Sequence, residues 1–434
     1  MLLTRAILGA KIVSFPLKPD IQRYRRRVTR ILLVAPTCDG TDVGEAWVAH
    51  QWASRLGRRH DVTLLTSQKR DRPPAAPQLP GVRVIEWPEP PGLGRAERLN
   101  SLLKPGYAAF HLRARRWTRA ALARGERFDV AHQPAPVATR YPSPLAGLGI
   151  PWLLGPVGGG LADPPGFPAD DTAPWYVGLR AVDRWRLAHD PWLRRTYRDA
   201  SMVLGIAPYV ADHLADAPVR ELVTLNETAL PELPRLEPRL PHGGPLRLLH
   251  VGRLVRTKGA RDVVRALGLL PHGRARLDVV GDGPDREACE ALARELGVAQ
   301  HVTFHGRQDR ASVEAHYRAA DVFVFPSYRE PGGNVVLEAM GHGLPVVVVD
   351  RGGPASAVDD ACAIRLPVTT PAALAADVAA AIECLASDPA LRATMGRAAR
   401  LRMEHVGLWE AKIDTAELLY ARVVRTAAAQ EGGS

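Results

Sequence analysis

The sequence predicts an α/β protein of two doubly wound, parallel-sheet units facing each other across a cleft. Three observations predict it. Short apolar runs ending in turn residues alternate with helical patterns along most of the 434 residues, and strands that are apolar throughout belong to parallel sheets covered on both faces. The alternation breaks once, at 231–245 (PELPRLEPRLPHGGP), where five prolines exclude a helix or a central strand, and then restarts. The 38 glycines and 38 prolines follow no period, so they punctuate many short loops.

Residues 1–28 read as a basic leader containing Arg25, Arg26 and Arg27, with folding starting near residue 29. The first unit spans 29–230. Its strands are expected at 31–36 (ILLVAP), 61–66, 82–86, 128–132, 151–154, 201–205 and 221–224, with a helix at 44–56. After the linker at 231–245 the second unit runs over 246–405. It has strands at 246–251, 277–280, 301–305, 321–325 and 345–349, and helices at 259–270 and 284–296. The last helix carries Leu408, Trp409, Ile413, Ala416 and Tyr420 at helical spacing, so it packs by one face; over about 408–428 it is expected to complete the first unit.

Composition narrows the function classes. The cysteines, Cys38, Cys289, Cys362 and Cys384, form no CxxC pair and have no metal-ligand spacing with histidine, which suits reduced thiols in the cytoplasm. A net charge of +11 points to anionic partners. No zinc spacing or basic-aromatic repeat accompanies it, so nucleic acid is not the expected partner. No segment reaches the roughly 18–20 apolar residues of a membrane span. Residues 1–24 mix apolar residues with Arg5, Lys11 and Lys18, and residues 185–198 set Trp185, Trp192 and Tyr197 among arginines. Both stretches suit the headgroup level of an anionic membrane; they suit equally a solvated leader and a helix whose tryptophans face the core.

The strongest chemical signal is Glu330-Pro-Gly-Gly-Asn334 followed by Glu338, ahead of the strand at 345–349. On one continuous helix, carboxylates eight apart lie about 12 Å and about 80° from each other, too far to serve one atom. Pro331-Gly332-Gly333 therefore places Glu330 on a loop and Glu338 one turn into a helix. The helix amino terminus near Asn334 then faces a phosphate, which its unpaired amides and macrodipole favour. Gly252-Arg253 and Lys258-Gly259 close the first strand of the second unit. Fixed cations at such a strand end suit a leaving group that develops negative charge; the alternative is a solvated strand end with ordinary surface cations. Gly281-Asp-Gly283-Pro follows the next strand; it lacks the third glycine of a dinucleotide fingerprint.

This constellation resembles glycosyltransferase family four, the retaining enzymes of GT-B fold in which two Rossmann-like domains share a cleft. Its hallmark is Glu, seven residues, Glu; the usual Ser-Phe-Gly-Leu after the first Glu is Pro-Gly-Gly-Asn here. The resemblance implies that Glu330 contacts the donor sugar, Glu338 the ribose hydroxyls, and Arg253 and Lys258 the diphosphate. It places Gly281 and Gly283 near the nucleotide and Arg307 beside the base pocket. In the amino-terminal half it aligns His132 with a functional histidine at a strand end, where the imidazole would project into the cleft; the residue alone reads equally as a hydrogen-bonded structural histidine. Gly44 and Glu45 take the place of the acceptor-side glycine loop, and the run at 155–160, with Gly158 and Gly159, offers amides to a hydroxyl.

The implied reaction moves a sugar from a nucleotide-diphosphate sugar to a hydroxyl of a glycan, lipid-linked or small-molecule acceptor. It suits synthesis of cell-surface polysaccharide or other glycoconjugates. No Asp-x-Asp pair occurs, so neither metal nor cofactor is expected. A non-catalytic nucleotide-sugar binder, or an epimerase or hydrolase of the same fold, are the competing classes. Loss of Arg253, Lys258 or Glu338 would mark the first, and rapid free-sugar release without acceptor the second.

Overall fold

A computed structural model describes residues 11–13, 29–89, 106–167, 180–236 and 242–432. Among these the first sheet holds eight strands: β1 (Lys11–Val13), β2 (Arg30–Val34), β3 (Asp61–Gln68), β4 (Val82–Pro88), β5 (Val130–Gln133), β6 (Trp152–Val157), β7 (Met202–Gly205) and β8 (Glu221–Thr224). Their order is β1-β8-β7-β6-β5-β2-β3-β4, every pair parallel. Parallel neighbours require crossovers; the helix Glu45–Gly57, which buries Val48, Ala49, Trp52 and Leu56, makes the one between β2 and β3.

The second sheet comprises β9 (Leu246–Val251), β10 (Ala275–Val280), β11 (Val302–Gly306), β12 (Val322–Phe325), β13 (Val346–Val349) and β14 (Ala363–Leu366), in the order β11-β10-β9-β12-β13-β14. The order reverses at β9, which makes the carboxyl ends of β9 and β12 the topological switch point, where open α/β sheets bind ligands. Both faces are covered, as the all-apolar strands require. Val322, Val324, Val347 and Val349 belong to one apolar cluster, and Phe323, Phe325, Val346 and Val348 to the other.

The chain forms two compact units, one of residues 1–160, 175–227 and 412–434, the other of 161–174 and 228–411. Three expectations need correction. Folding does not begin near residue 29, because Lys11–Val13 extends the first sheet, Ile12 opposite Leu222; the rest of the leader, with its membrane reading, lies outside the described residues. Residues 161–167 leave the first unit for the second: Phe167 packs on Tyr328, ring centroids 4.3 Å apart, and Arg329 pairs with Asp163 at 2.7 Å. The proline-rich stretch is not a free linker where it is described. Arg400 donates to the Pro234 carbonyl at 2.7 Å, and Leu230 donates to the Gly407 carbonyl at 2.8 Å; residues 237–241 lie outside the description.

The carboxyl-terminal helix Trp409–Glu431 belongs to the first unit from residue 412 onward and is tied down there by charge. Arg59 meets Asp414 and Glu417 at 2.6 and 3.1 Å, and Arg422 meets Glu221 at 2.7 Å.

Candidate functional site

In the second unit the chain leaves β9 through Gly252 and Arg253 and turns at Arg256–Lys258 before the helix Ala260–Leu267. The loop after β10 is stitched to this turn by backbone: Gly252 donates to Val280, Leu254 to Asp282 and Asp285 to Leu254, each at 3.0 Å. Gly281 has to be glycine here. Its φ is +130°, and a Cβ would sit 1.9 Å from the Gly252 carbonyl oxygen.

Opposite, β12 runs into Pro326 and Ser327, whose buried hydroxyl donates to the Thr257 carbonyl at 2.9 Å. That bond holds the β12 loop against the turn carrying Lys258. Lys258 and Glu330 meet there as an ion pair, each side chain less than one-fifth exposed. The ammonium also lies 5.8 Å from the centre of the Phe325 ring. The two residues singled out for the leaving group and the sugar thus share one point.

The other Glu330 oxygen accepts the amides of Gly332 and Gly333 at 3.3 and 3.2 Å. These two amides are therefore held by Glu330 itself instead of standing open to a phosphate. Gly333, left-handed at φ +84°, opens the helix Asn334–Gly341, with Asn334 exposed. Glu338 lies in the middle of that helix and accepts the Tyr317 hydroxyl at 3.1 Å. Burial pushes its carboxyl above the usual range, against the pull of Tyr317 and Arg310.

Arg253 and Arg307 are exposed at loop positions. Arg256, between Arg253 and Lys258, has a different task. It grips buried Asp262 at 2.5 and 2.9 Å and lies 5.8 and 5.6 Å from the rings of Phe167 and Tyr328, which anchors residues 161–167. Sequence spacing did not separate this structural cation from its neighbours. His250, fully buried behind the turn, was also missed. It donates through Nδ1 to the Val324 carbonyl at 3.0 Å, and burial, aided by the Lys258 charge, lowers its pKa to about 4.

In the first unit His132 corrects the expectation that its imidazole projects from an open strand end. It is 0% exposed. Its Nε2 lies 2.6 Å from the Gly155 carbonyl, which only accepts, so Nε2 carries the proton and Nδ1 accepts from the Tyr420 hydroxyl at 2.7 Å. Both nitrogens are engaged within the unit, at the root of the glycine run, and burial lowers the pKa to about 4.

The residues expected on the acceptor side are joined through Val137. Its amide donates to Glu45 at 3.4 Å, and its carbonyl accepts the Gly158 amide at 2.7 Å. Gly44 immediately precedes the helix bearing Glu45. The Gly159 amide donates to the Tyr209 hydroxyl at 3.5 Å, and Gly160 lies against His213, whose Nε2 is 2.9 Å from Thr139 Oγ1. His213 had no motif to announce it.

Comparison with known proteins agrees with these features. The family profile described as "Glycosyl transferase 4-like domain" matches residues 43–226, and "Glycosyl transferases group 1" matches 236–402. A D-inositol 3-phosphate glycosyltransferase of Kineococcus radiotolerans is 32% identical over 315 residues, 59% of this chain and 71% of that one. The chain spans only about half the length of other curated relatives that it matches. Two solved structures share the fold. Sucrose-phosphate synthase from Thermosynechococcus elongatus has a TM-score of 0.61 at 22% identity, covering 92% of this chain and 100% of that one. Anabaena HepE in complex with UDP and glucose has a TM-score of 0.57 at 17% identity, covering 90% and 99%. With two parallel-sheet units, two family profiles that together span most of residues 43–402 and the Kineococcus relative, the chain belongs to glycosyltransferase family four, the group 1 glycosyltransferases.

Proposed function

We propose that the protein is a retaining, metal-independent glycosyltransferase that uses a nucleoside diphosphate sugar and a hydroxyl acceptor. The observation that carries this reading is the contact of Lys258 with Glu330 at the switch point of the second sheet, one helix start away from Glu338. A cation beside the sugar-facing carboxylate suits a glycosyl phosphate bond: Lys258 and Arg253 take the charge that grows on the leaving diphosphate. Glu330 is drawn off Lys258 as the donor enters and turns to the sugar hydroxyls, while Glu338 receives the ribose. The acceptor oxygen bonds to the anomeric carbon on the face from which the phosphate oxygen departs. Its proton passes to that phosphate oxygen.

Gly44, Glu45, Gly158 and Gly159, joined around Val137, are proposed to hold the acceptor, and Gly281, Gly283 and Arg307 to border the nucleotide. The UDP complex of the Anabaena structure supports a nucleotide-diphosphate donor. The test is to incubate the protein with a panel of nucleoside diphosphate sugars, with and without hydroxyl acceptors, and to measure nucleoside diphosphate release. Acceptor-dependent release with retained anomeric configuration is expected. Binding without turnover on any acceptor would favour a nucleotide-sugar-binding protein, and free-sugar release without acceptor a hydrolase.

We further propose that the first unit rests on the cytoplasmic face of an anionic membrane. Among the described residues no helix is long and apolar enough to cross one. Trp185 and Trp192 do not face the core, however: they are 61% and 63% exposed, beside the exposed side chains of Arg184, Arg195 and Arg198. Such amphipathic rings and cations favour the interface, where a lipid-linked acceptor would be met.

A further inference from the structure

Away from the Lys258 and Glu330 pair, the second unit brings together a set of side chains that the reaction above does not use. Asp278 lies on β10, His305 on β11 and His316 on the helix Arg310–Ala319. His305 Nε2 is 2.7 Å from Asp278 Oδ1, and the His305 and His316 rings face each other with centroids 4.3 Å apart. One ligand atom from each of the three residues lies within 4.8 Å of the others, and all three are partly buried. The placement has a local cause. Pairing of β10 with β11 runs Val279 to Phe304 and then Val280 to Gly306, so His305 is the extra residue of a bulge. Bulges re-aim the side chain they carry.

We propose that Asp278, His305 and His316 form a binding site for one divalent transition-metal ion of the zinc class. Two imidazoles and a carboxylate are borderline ligands that select zinc, cobalt or nickel over magnesium or calcium, which prefer all-oxygen shells. Metal–ligand lengths of about 2.0–2.2 Å put neighbouring ligand atoms about 3.4 Å apart, so side-chain rotation alone closes the set. Three protein ligands leave at least one position to water.

The ion would pin the His316 helix to the sheet just behind two contacts of the donor site. Gly306, next to His305, accepts the Gly281 amide at 2.8 Å, and Tyr317, next to His316, holds Glu338. The role is structural, so the proposal stands or falls independently of metal-free transfer chemistry.

The test is calorimetry and thermal unfolding of the chelator-treated, full-length protein titrated with zinc chloride, with magnesium chloride in parallel. One zinc per chain at micromolar or better affinity and a raised midpoint are expected, with no shift in magnesium. His316→Ala and His305→Ala are each expected to weaken zinc binding at least about 100-fold; His272→Ala and Cys384→Ser, which test other zinc-binding side chains, should leave it intact. His316→Ala alters a partly exposed helix position, so its reading does not depend on the bulge surviving substitution. Absence of zinc binding at tens of micromolar, or wild-type affinity in His316→Ala, would overturn the site.

Discussion

Tyr317 donates a hydrogen bond from its hydroxyl to the Glu338 carboxylate at 3.1 Å, and that hydroxyl lies 3.3 Å from the Val335 carbonyl of the helix that carries Glu338. This carboxylate, raised by burial, is the one proposed above to receive the ribose hydroxyls. Glu338→Ala is expected to weaken binding of the nucleoside diphosphate itself. Tyr317→Phe should weaken it less, by about 2–10-fold, the worth of one net hydrogen bond. Glu330→Ala should chiefly harm turnover and sugar discrimination. Calorimetry with and without the sugar moiety separates the roles, and equal losses of nucleoside diphosphate affinity in Glu330→Ala and Glu338→Ala would show that the site has been divided wrongly.

Removing either cation proposed for the diphosphate is the next test. Arg253→Ala and Lys258→Ala are each expected to lower turnover by about 100–1,000-fold, the usual cost of losing one donor to a developing oxyanion. Arg253 is exposed, so its variant should unfold at the wild-type midpoint. Wild-type turnover in either variant would remove the diphosphate assignment.

Much of this was legible in the sequence, for physical reasons that also explain what was not. Strands such as Val346–Val349 are apolar throughout, and a parallel strand covered on both faces has no other reading. Glu330 and Glu338 were legible because a Pro-Gly-Gly break between them fixes loop and helix locally. His132 was not, since the partner that settles its role, Tyr420, lies 288 residues further along the chain. Arg256 and Phe167 fall in the same class. Nothing local tells a loop arginine that it will grip Asp262 beneath an aromatic pair supplied in part by residues 161–167. The strand Lys11–Val13 was hidden by its charged surroundings, and three residues at a sheet edge carry too little pattern to register.

Two buried neutral histidines give a defined pH response. Burial brings His132 and His250 down to about 4 in the folded state, against the ordinary imidazole value of 6.5. Between those values the unfolded chain takes up protons that the folded chain refuses, so stability is full above about pH 6.5 and falls as pH drops toward 4. Each group costs on the order of 3 kcal/mol at the lower limit. Denaturant unfolding at pH 7.5 and pH 4.5 should show the loss, and His132→Gln should reduce it. A stability unchanged over that range would contradict the buried, neutral assignment.

Membrane association is checked by flotation with anionic vesicles at low and high salt. Binding at low salt that weakens with salt is expected, because each basic residue near the surface contributes about 1 kcal/mol and is screened. Neutralising Arg184, Arg195 and Arg198 together with Trp185→Ser and Trp192→Ser should abolish it. Failure of the wild type to float, or equal flotation of the variant, would favour a soluble acceptor.

The central claim is that protein side chains alone stabilise the departing diphosphate. It is tested most directly by measuring acceptor-dependent nucleoside diphosphate release in excess EDTA. The account predicts that release continues in chelator at a temperature well below the unfolding midpoint of the chelator-treated protein; complete loss of release there, restored by magnesium or manganese, would contradict it.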